Sequence, residues 1–152
     1  MAETLGSLCD KLTIVKLKQY HTEDSKRLDS LANQEKQLCE EINNYFLDAI
    51  NGEIPQERMA FASNKVYKIE GNEILPITGN IGSVFSELAK VNCVLWHEQE
   101  KVYEFEKVSP NDKDMVVKRL ALLNLQRTQC IDTIDKQFQQ MIINKPHAKN
   151  DK

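Results

Sequence analysis

Apolar residues recur along this chain at intervals of three and four, the spacing that places side chains on one face of an α-helix. Two such stripes are formed by Leu5, Leu8, Leu12 and Val15, and by Ile81, Val84, Leu88, Val91 and Leu95. Two longer stretches, residues 27–50 and 119–142, carry the same helical spacing. The pattern therefore predicts four helices, each of which buries one face.

The four predicted helices are two copies of one helical hairpin. Residues 5–21 and 81–97 align without a gap at an offset of 76, with five identical positions. Residues 27–50 and 119–142 align again, at an offset of 92. A single hairpin cannot bury both of its faces, so two copies predict a pseudo-twofold four-helix bundle. The expected fold class is mainly all-α.

The expected domain organisation is a single domain over residues 1–152, with repeat units at residues 5–50 and 81–142, a linker arm at residues 51–80 and a disordered tail at residues 145–152. Within the arm, the short apolar runs at residues 65–69 and 74–77 flank a Gly-Asn turn signal. This pattern predicts a small β-hairpin or an extended arm between the two repeat units.

Composition and charge limit the functional classes. A net charge of −3 argues against general binding of nucleic acid or of anionic membranes. The amino-terminal residues lack a signal-peptide pattern, and no apolar run reaches the length of a membrane span. We therefore expect a cytoplasmic protein that does not enter a membrane. The four cysteines form no CxxC pair and lie within helical patterns, which favours reduced, buried thiols.

Both repeat units begin with a Gly-Ser pair at a predicted helix start, Gly6-Ser7 and Gly82-Ser83. A helix amino terminus exposes free N–H groups and positive partial charge, so these pairs are candidates for holding an anion. In the alternative interpretation, Thr4 caps the first helix, Thr78 or Asn80 caps its copy, and the glycines only permit close packing.

The first helix also carries a second, partly polar stripe, made of Asp10, Ile14, Leu17 and His21. A helix with two apolar sides lies either at the centre of a bundle or in an oligomer interface. Asp10 and His21 lie about 16 Å apart along one helix, so they cannot touch. Across an antiparallel crossing, Asp10 would meet His97 and His21 would meet Glu87, an arrangement suited to acid–base or ligand-holding chemistry. The alternative is a helix-end histidine beside an aromatic ring, Tyr20 or Trp96.

Glu35 and Arg127 occupy equivalent positions of the two repeat units, in register with the apolar stripes. Buried charges need partners, which predicts a Glu35–Arg127 ion pair, or else a role for Arg127 as an anchor for a carboxylate or phosphate. No metal-binding motif, catalytic triad or nucleotide fingerprint is present, so we expect no metal and no cofactor.

The stretch from Glu3 to Val15, followed by Tyr20-His21-Thr22-Glu23, resembles the opening of the helical domain-of-unknown-function family 4254. The segment from Ile81 to Glu98 is similar to that family as well. The resemblance implies a helical fold in a bacterial or phage protein, often encoded beside surface-glycan genes, but no settled activity. This chain departs from the family pattern at Tyr20, where tryptophan is usual.

Together these features favour a non-enzymatic protein that binds a small anionic ligand of the nucleotide or sugar-phosphate type. The candidate ligand-binding residues are Gly6, Ser7, Asp10, Lys11, Lys18, His21, Gly82, Ser83, Glu87, Trp96, His97 and Arg127. Two alternatives stay open: an enzyme of glycan or nucleotide metabolism that uses His/Asp acid–base chemistry, and an oligomeric assembly module. We expect a homo-oligomer, either a dimer or a larger assembly.

Overall fold

The computed structural model describes residues 2–61 and 76–146. These residues form four α-helices, namely α1 (Leu5–Tyr20), α2 (Ser25–Ile50), α3 (Ile81–Tyr103) and α4 (Lys113–Ile143), with short 3₁₀ helices at Gln56–Arg58 and Phe105–Lys107. The helix bounds lie within a few residues of the repeat units read from the sequence. The helical bundle that the periodicity predicts is thus confirmed.

The predicted β-hairpin of the linker arm falls almost wholly on residues 62–75, which lie outside the described residues, as does the tail beyond residue 146. No strand is present within the described ranges. The described helices also contain no stretch long and apolar enough to cross a membrane.

Local sequence explains where the first two helices begin. Thr4 accepts a hydrogen bond from the Ser7 amide, and the Ser7 hydroxyl accepts one from the Thr4 amide, which together form a capping box. Asp24 caps α2 by accepting from the Arg27 amide at 2.9 Å. The start of α3 differs, because Asn80 makes no side-chain capping bond there.

Helix α1 lies at the centre of the bundle, where it packs against α2, α3 and α4. This placement explains its two apolar sides, which a helix on the surface of a bundle would not need. Helices α2 and α4 meet through aromatic rings, because Phe138 contacts both Tyr45 and Phe46.

The main apolar core lies where the amino-terminal ends of α1 and α3 meet the carboxyl-terminal ends of α2 and α4. Its buried members are Leu5, Leu8, Tyr45, Ala49, Met59, Val84, Leu88, Cys130, Ile134 and Phe138. Every residue of the two stripes read from the first helices is buried or half-buried, as the helical periodicity predicts. Removal of this surface from water is the main stabilising contribution to the fold.

Helices α1 and α4 approach most closely at Gly6. A Cβ atom at this position would lie 2.6 Å from the carbonyl oxygen of Ile131 and 2.9 Å from Oδ1 of Asp135. Gly82, the equivalent residue of the second repeat unit, has nothing within 4 Å of the same position. The shared glycine is therefore needed for packing in one repeat unit and not in the other.

The cysteines only partly follow the expectation of burial. All four are free thiols; Cys130 is buried and Cys9 half-buried, whereas Cys39 and Cys93 are exposed. Burial raises the pKa of both Cys9 and Cys130 to about 11. The prediction of burial was wrong for Cys39 and Cys93, because these residues lie at the polar edges of α2 and α3.

Gly6→Ala should destabilise the fold by about 2–3 kcal/mol, because a methyl group would overlap the Ile131 carbonyl and push α4 away. Gly82→Ala is the matched control, since it makes the same change at the same helical position in open space. It should be neutral or stabilise by less than about 1 kcal/mol. Urea unfolding of both variants measures the difference, and equal effects would contradict the proposed close approach.

Candidate functional site

Asp10 lies at the centre of a polar cluster that joins three helices. Its carboxylate, only 5% exposed, accepts hydrogen bonds from Nε and Nη2 of Arg127, with Nε at 2.8 Å from Oδ1. Asn92, on α3, donates a further bond from Nδ2 to Oδ1 at 2.9 Å. The hydrogen bonding to Asp10 raises the pKa of Arg127 above its ordinary value. The buried carboxylate is therefore well compensated, and the guanidinium is held in one orientation.

This cluster corrects the predicted Glu35–Arg127 ion pair. Glu35 instead accepts hydrogen bonds from Lys16 Nζ at 3.0 Å and from Gln19 Nε2 at 2.8 Å. The prediction relied on equivalent positions facing each other, whereas the central position of α1 brings Asp10 to Arg127 first. Lys16 and Glu35 are the repeat equivalents of Asn92 and Arg127, but the first two pair with each other, whereas Asn92 and Arg127 both donate to Asp10.

A groove of about 360 Å³ opens beside the cluster, between α1 and α2. It is lined by Lys11, Ile14, Val15, Lys18, Gln34, Gln37, Leu38, Glu41 and Arg127. The Arg127 side chain is 33% exposed, and its Nη1 atom makes no hydrogen bond within the described ranges. Three of the predicted ligand-binding residues, Lys11, Lys18 and Arg127, thus line one surface.

The three cations of this groove have no cationic counterpart at the equivalent positions of the duplication. At the offsets of the duplication, the positions of Lys11, Lys18 and Arg127 are occupied by Glu87, Val94 and Glu35. By contrast, the groove glutamines Gln34 and Gln37 have glutamine counterparts, Gln126 and Gln129. The two halves have therefore kept the polar amides and diverged in charge.

The start of α1 does not offer a free anion site. The Gly6 amide donates to Oδ1 of Asp135 at 2.7 Å, and the Ser7 hydroxyl is engaged with Glu3 and Thr4. Asp135 is only 4% exposed, and burial raises its pKa to about 6, although the Gly6 amide and the nearby Thr4 side chain act in the opposite direction. The predicted anion at this helix start is a carboxylate of the protein itself.

The second Gly-Ser pair lies apart from the groove. Gly82 and Ser83 are exposed at the start of α3, and Glu87 lies 3.8 Å from Lys90 in a surface ion pair. No contact within the described chain joins these three residues to Lys18 or Arg127. The predicted ligand-binding set is therefore divided among separate places.

The two histidines meet each other rather than the predicted carboxylates. His21 stacks on Trp96 with ring centroids 4.9 Å apart and planes 10° apart, and its ring lies 6.1 Å from that of His97. The predicted pairs Asp10–His97 and His21–Glu87 are wrong. Asp10 contacts Asn92, and His21, further along α1, contacts Trp96, further along α3. The helices thus run in the same direction, not antiparallel. The alternative of a helix-end histidine beside an aromatic ring describes His21 correctly.

In this aromatic cluster the two histidines are exposed and Trp96 is half-buried, and some of the polar atoms have partners. Trp96 Nε1 donates to Glu100 at 3.0 Å, and His97 Nδ1 lies 3.6 Å from the same carboxylate. No group of three or more metal-ligating side chains occurs within residues 2–61 and 76–146.

Two buried polar residues of these clusters, Asn92 and Asp135, were not singled out from the sequence. Asn92 lies four residues after Leu88, in register with the buried stripe of α3. Asp135 lies between Ile131 and Phe138 in the same way. A polar residue in register with an apolar stripe is a signal for a buried hydrogen-bonding partner.

Comparison with known proteins found no match to a family model, to a curated protein or to a solved structure. Membership of the domain-of-unknown-function family 4254 accordingly stays a prediction from the sequence motif.

Arg127→Met should destabilise the protein by about 3–5 kcal/mol, because it leaves the buried Asp10 carboxylate without its charged partner. Glu35→Met is the control at the equivalent position of the first repeat unit. It should have a much smaller effect, since its contacts with Lys16 and Gln19 lie at the surface. Chemical denaturation of both variants tests the contrast, and similar losses would refute a special role for the Asp10 cluster.

Asp135→Asn should stabilise the protein at pH 7 by about 1–2 kcal/mol, because asparagine can still accept from Gly6 without a charge to bury. The folded pKa of Asp135, about 6, lies above the ordinary value of 3.8, so its charge opposes folding above pH 6. The penalty fades as the pH falls from about 6 to about 4. The advantage of the variant should disappear over that range, as measured by thermal unfolding. An advantage that is independent of pH would argue against burial of the charge.

Proposed function

We propose that the protein binds a small anionic ligand in the groove between α1 and α2. The observation that carries this proposal is the combination of Lys11, Lys18 and Arg127 on one surface, with no cation at any of their equivalent positions in the duplication. Two copies of a hairpin need the same apolar stripes to pack, but packing gives no reason for one groove to gain three cations. A ligand specific to this groove supplies such a reason.

Lys18 is well placed to meet an anion. A side chain on an α-helix leans toward the helix amino terminus, so Lys18 leans toward Ile14 and into the groove. Lys18 makes no ion pair within the described residues. Lys11 also leans toward the amino terminus, and there it pairs with Glu3 near the helix start.

Arg127 supports the proposal through the fixed orientation of its guanidinium rather than through net charge. Asp10 neutralises the guanidinium and holds Nε and Nη2, whereas Nη1 makes no hydrogen bond within the described residues and Arg127 lines the groove. A preordered donor loses less conformational entropy when a ligand binds than a free lysine does. The expected ligand contacts are therefore one directed guanidinium N–H group and one mobile ammonium.

This proposal narrows the set of residues predicted from the sequence. The Gly6 helix start is occupied by Asp135, and the His21–Trp96–His97 cluster makes no contact with Lys18 or Arg127 within the described chain. The acid–base alternative loses its geometric basis, because Asp10 is engaged by Arg127 and Asn92 rather than by a histidine. Oligomerisation stays a prediction.

Lys18→Val replaces the lysine by the residue at the equivalent position of the second repeat unit, Val94. It should weaken binding of an anionic ligand about fivefold to tenfold, because one charge interaction is lost. Isothermal titration calorimetry with adenosine monophosphate and ribose 5-phosphate, at low ionic strength, measures the change.

Lys118→Val is the matched control, because it removes an exposed lysine of α4 outside the groove. It should bind these ligands as the unsubstituted protein does. The proposal fails if neither ligand binds the unsubstituted protein, or if the two variants lose affinity equally.

A further inference from the structure

The groove has an apolar floor as well as positive charge. Ile14, Val15 and Leu38 contribute the floor, with Val15 buried and the other two half-buried. A hydrated inorganic anion or a small hydroxylated sugar gains little from such a surface, because its faces carry polar groups. A flat ring with an apolar face can displace water there.

The two ends of the groove differ in charge. Lys16 and Gln19 bind Glu35, so Lys18 lies at the level of Gln34 in the antiparallel α1–α2 pair. Glu41, two turns further along α2, lies toward the other end, at the level of Lys11. Lys18 attracts a phosphate, whereas the other end carries both Lys11 and Glu41, and the Glu41 carboxylate can accept a hydrogen bond from an N–H group.

Side-chain amides occupy the wall between these ends. Gln34 and Gln37 each present both a donor and an acceptor, which suits the mixed hydrogen-bonding edge of a nucleobase. The volume of about 360 Å³ lies in the range typical of sites for small organic molecules and exceeds what a phosphate ion needs.

We infer that the ligand of this groove is a nucleoside monophosphate, with its phosphate bound by Lys18 and Arg127 and its base on the Ile14–Leu38 floor. This inference rests on the proposed function, and it adds which chemical class of anion the groove selects. Asp10 acts as a positioning residue, because it holds the Arg127 guanidinium, and Asn92 in turn holds Asp10. Neither residue lines the groove itself.

Calorimetric titration of the full chain with four ligands separates the parts of this inference. Adenosine monophosphate should bind at least tenfold more tightly than ribose 5-phosphate, which lacks the base, and than adenosine, which lacks the phosphate. It should also bind more tightly than 3′,5′-cyclic adenosine monophosphate, whose phosphodiester carries a single negative charge.

Leu38→Ala tests whether the base of the ligand packs on the apolar floor of the groove. The variant should lose at least threefold in affinity for adenosine monophosphate and keep its affinity for ribose 5-phosphate, because only the base lies on Leu38. The second ligand serves as the internal control for folding.

The contribution of the Asp10–Arg127 pair to binding has its own test. Replacing both members of the ion pair, in Asp10→Leu with Arg127→Met, removes the charges together, so the fold is expected to survive. Some stability is lost, because the buried Asn92 amide loses its acceptor. The double variant should lose at least tenfold in affinity for adenosine monophosphate at a temperature where circular dichroism shows it folded. Unchanged affinity would show that the pair is purely structural and would overturn this part of the inference.

The outcomes distinguish the inference from the proposed function. Equal affinities for ribose 5-phosphate and adenosine monophosphate, both weakened by Lys18→Val, would overturn the nucleoside assignment and leave an anion-binding groove. Equal affinities for adenosine and adenosine monophosphate, or no binding of any phosphorylated ligand, would overturn both.

Discussion

The buried carboxylate of Asp10 is the constraint around which the bundle is arranged. It lies on the central helix and is held by Arg127 from α4 and Asn92 from α3, so one side chain links three helices. A charge in this position is stable only while both partners stay in place. The arrangement has a cost, because Oδ1 of Asn92 is buried and makes no hydrogen bond within the described residues. The adjoining apolar core, which Leu5 and Leu8 of the same helix enter, offsets that cost.

The duplication accounts for the helices but not for the contacts between the halves. Periodicity and the two offsets predict where the helices lie and which stripes are buried, since both copies must satisfy the same packing rule. They fail for Arg127, whose partner is Asp10 rather than Glu35. Pairing of Glu35 with Arg127 assumes that α2 and α4 face each other at this level, whereas α1 packs against both of these helices and brings Asp10 to Arg127.

For the candidate site as well, the sequence predicts some features and misses others. The sequence identifies Lys11, Lys18 and Arg127 as sources of positive charge, because their residue types carry it. It does not predict that they line one groove, since Lys18 and Arg127 lie on helices from different repeat units. It predicts the wrong partners for His21 and His97 because the relative direction of two helices is a property of the packing rather than of either helix.

The contact between Asp135 and the Gly6 amide has a consequence for competition between solutes and the chain itself. A carboxylate tethered to the same fold is present at its binding position at an effective concentration far above that of any free metabolite. A dissolved phosphate or carboxylate would have to displace this internal ligand and also separate α1 from α4. Asp135 therefore blocks the binding of dissolved anions at the start of α1. The occupancy of this helix start does not depend on which anions the surrounding solution contains.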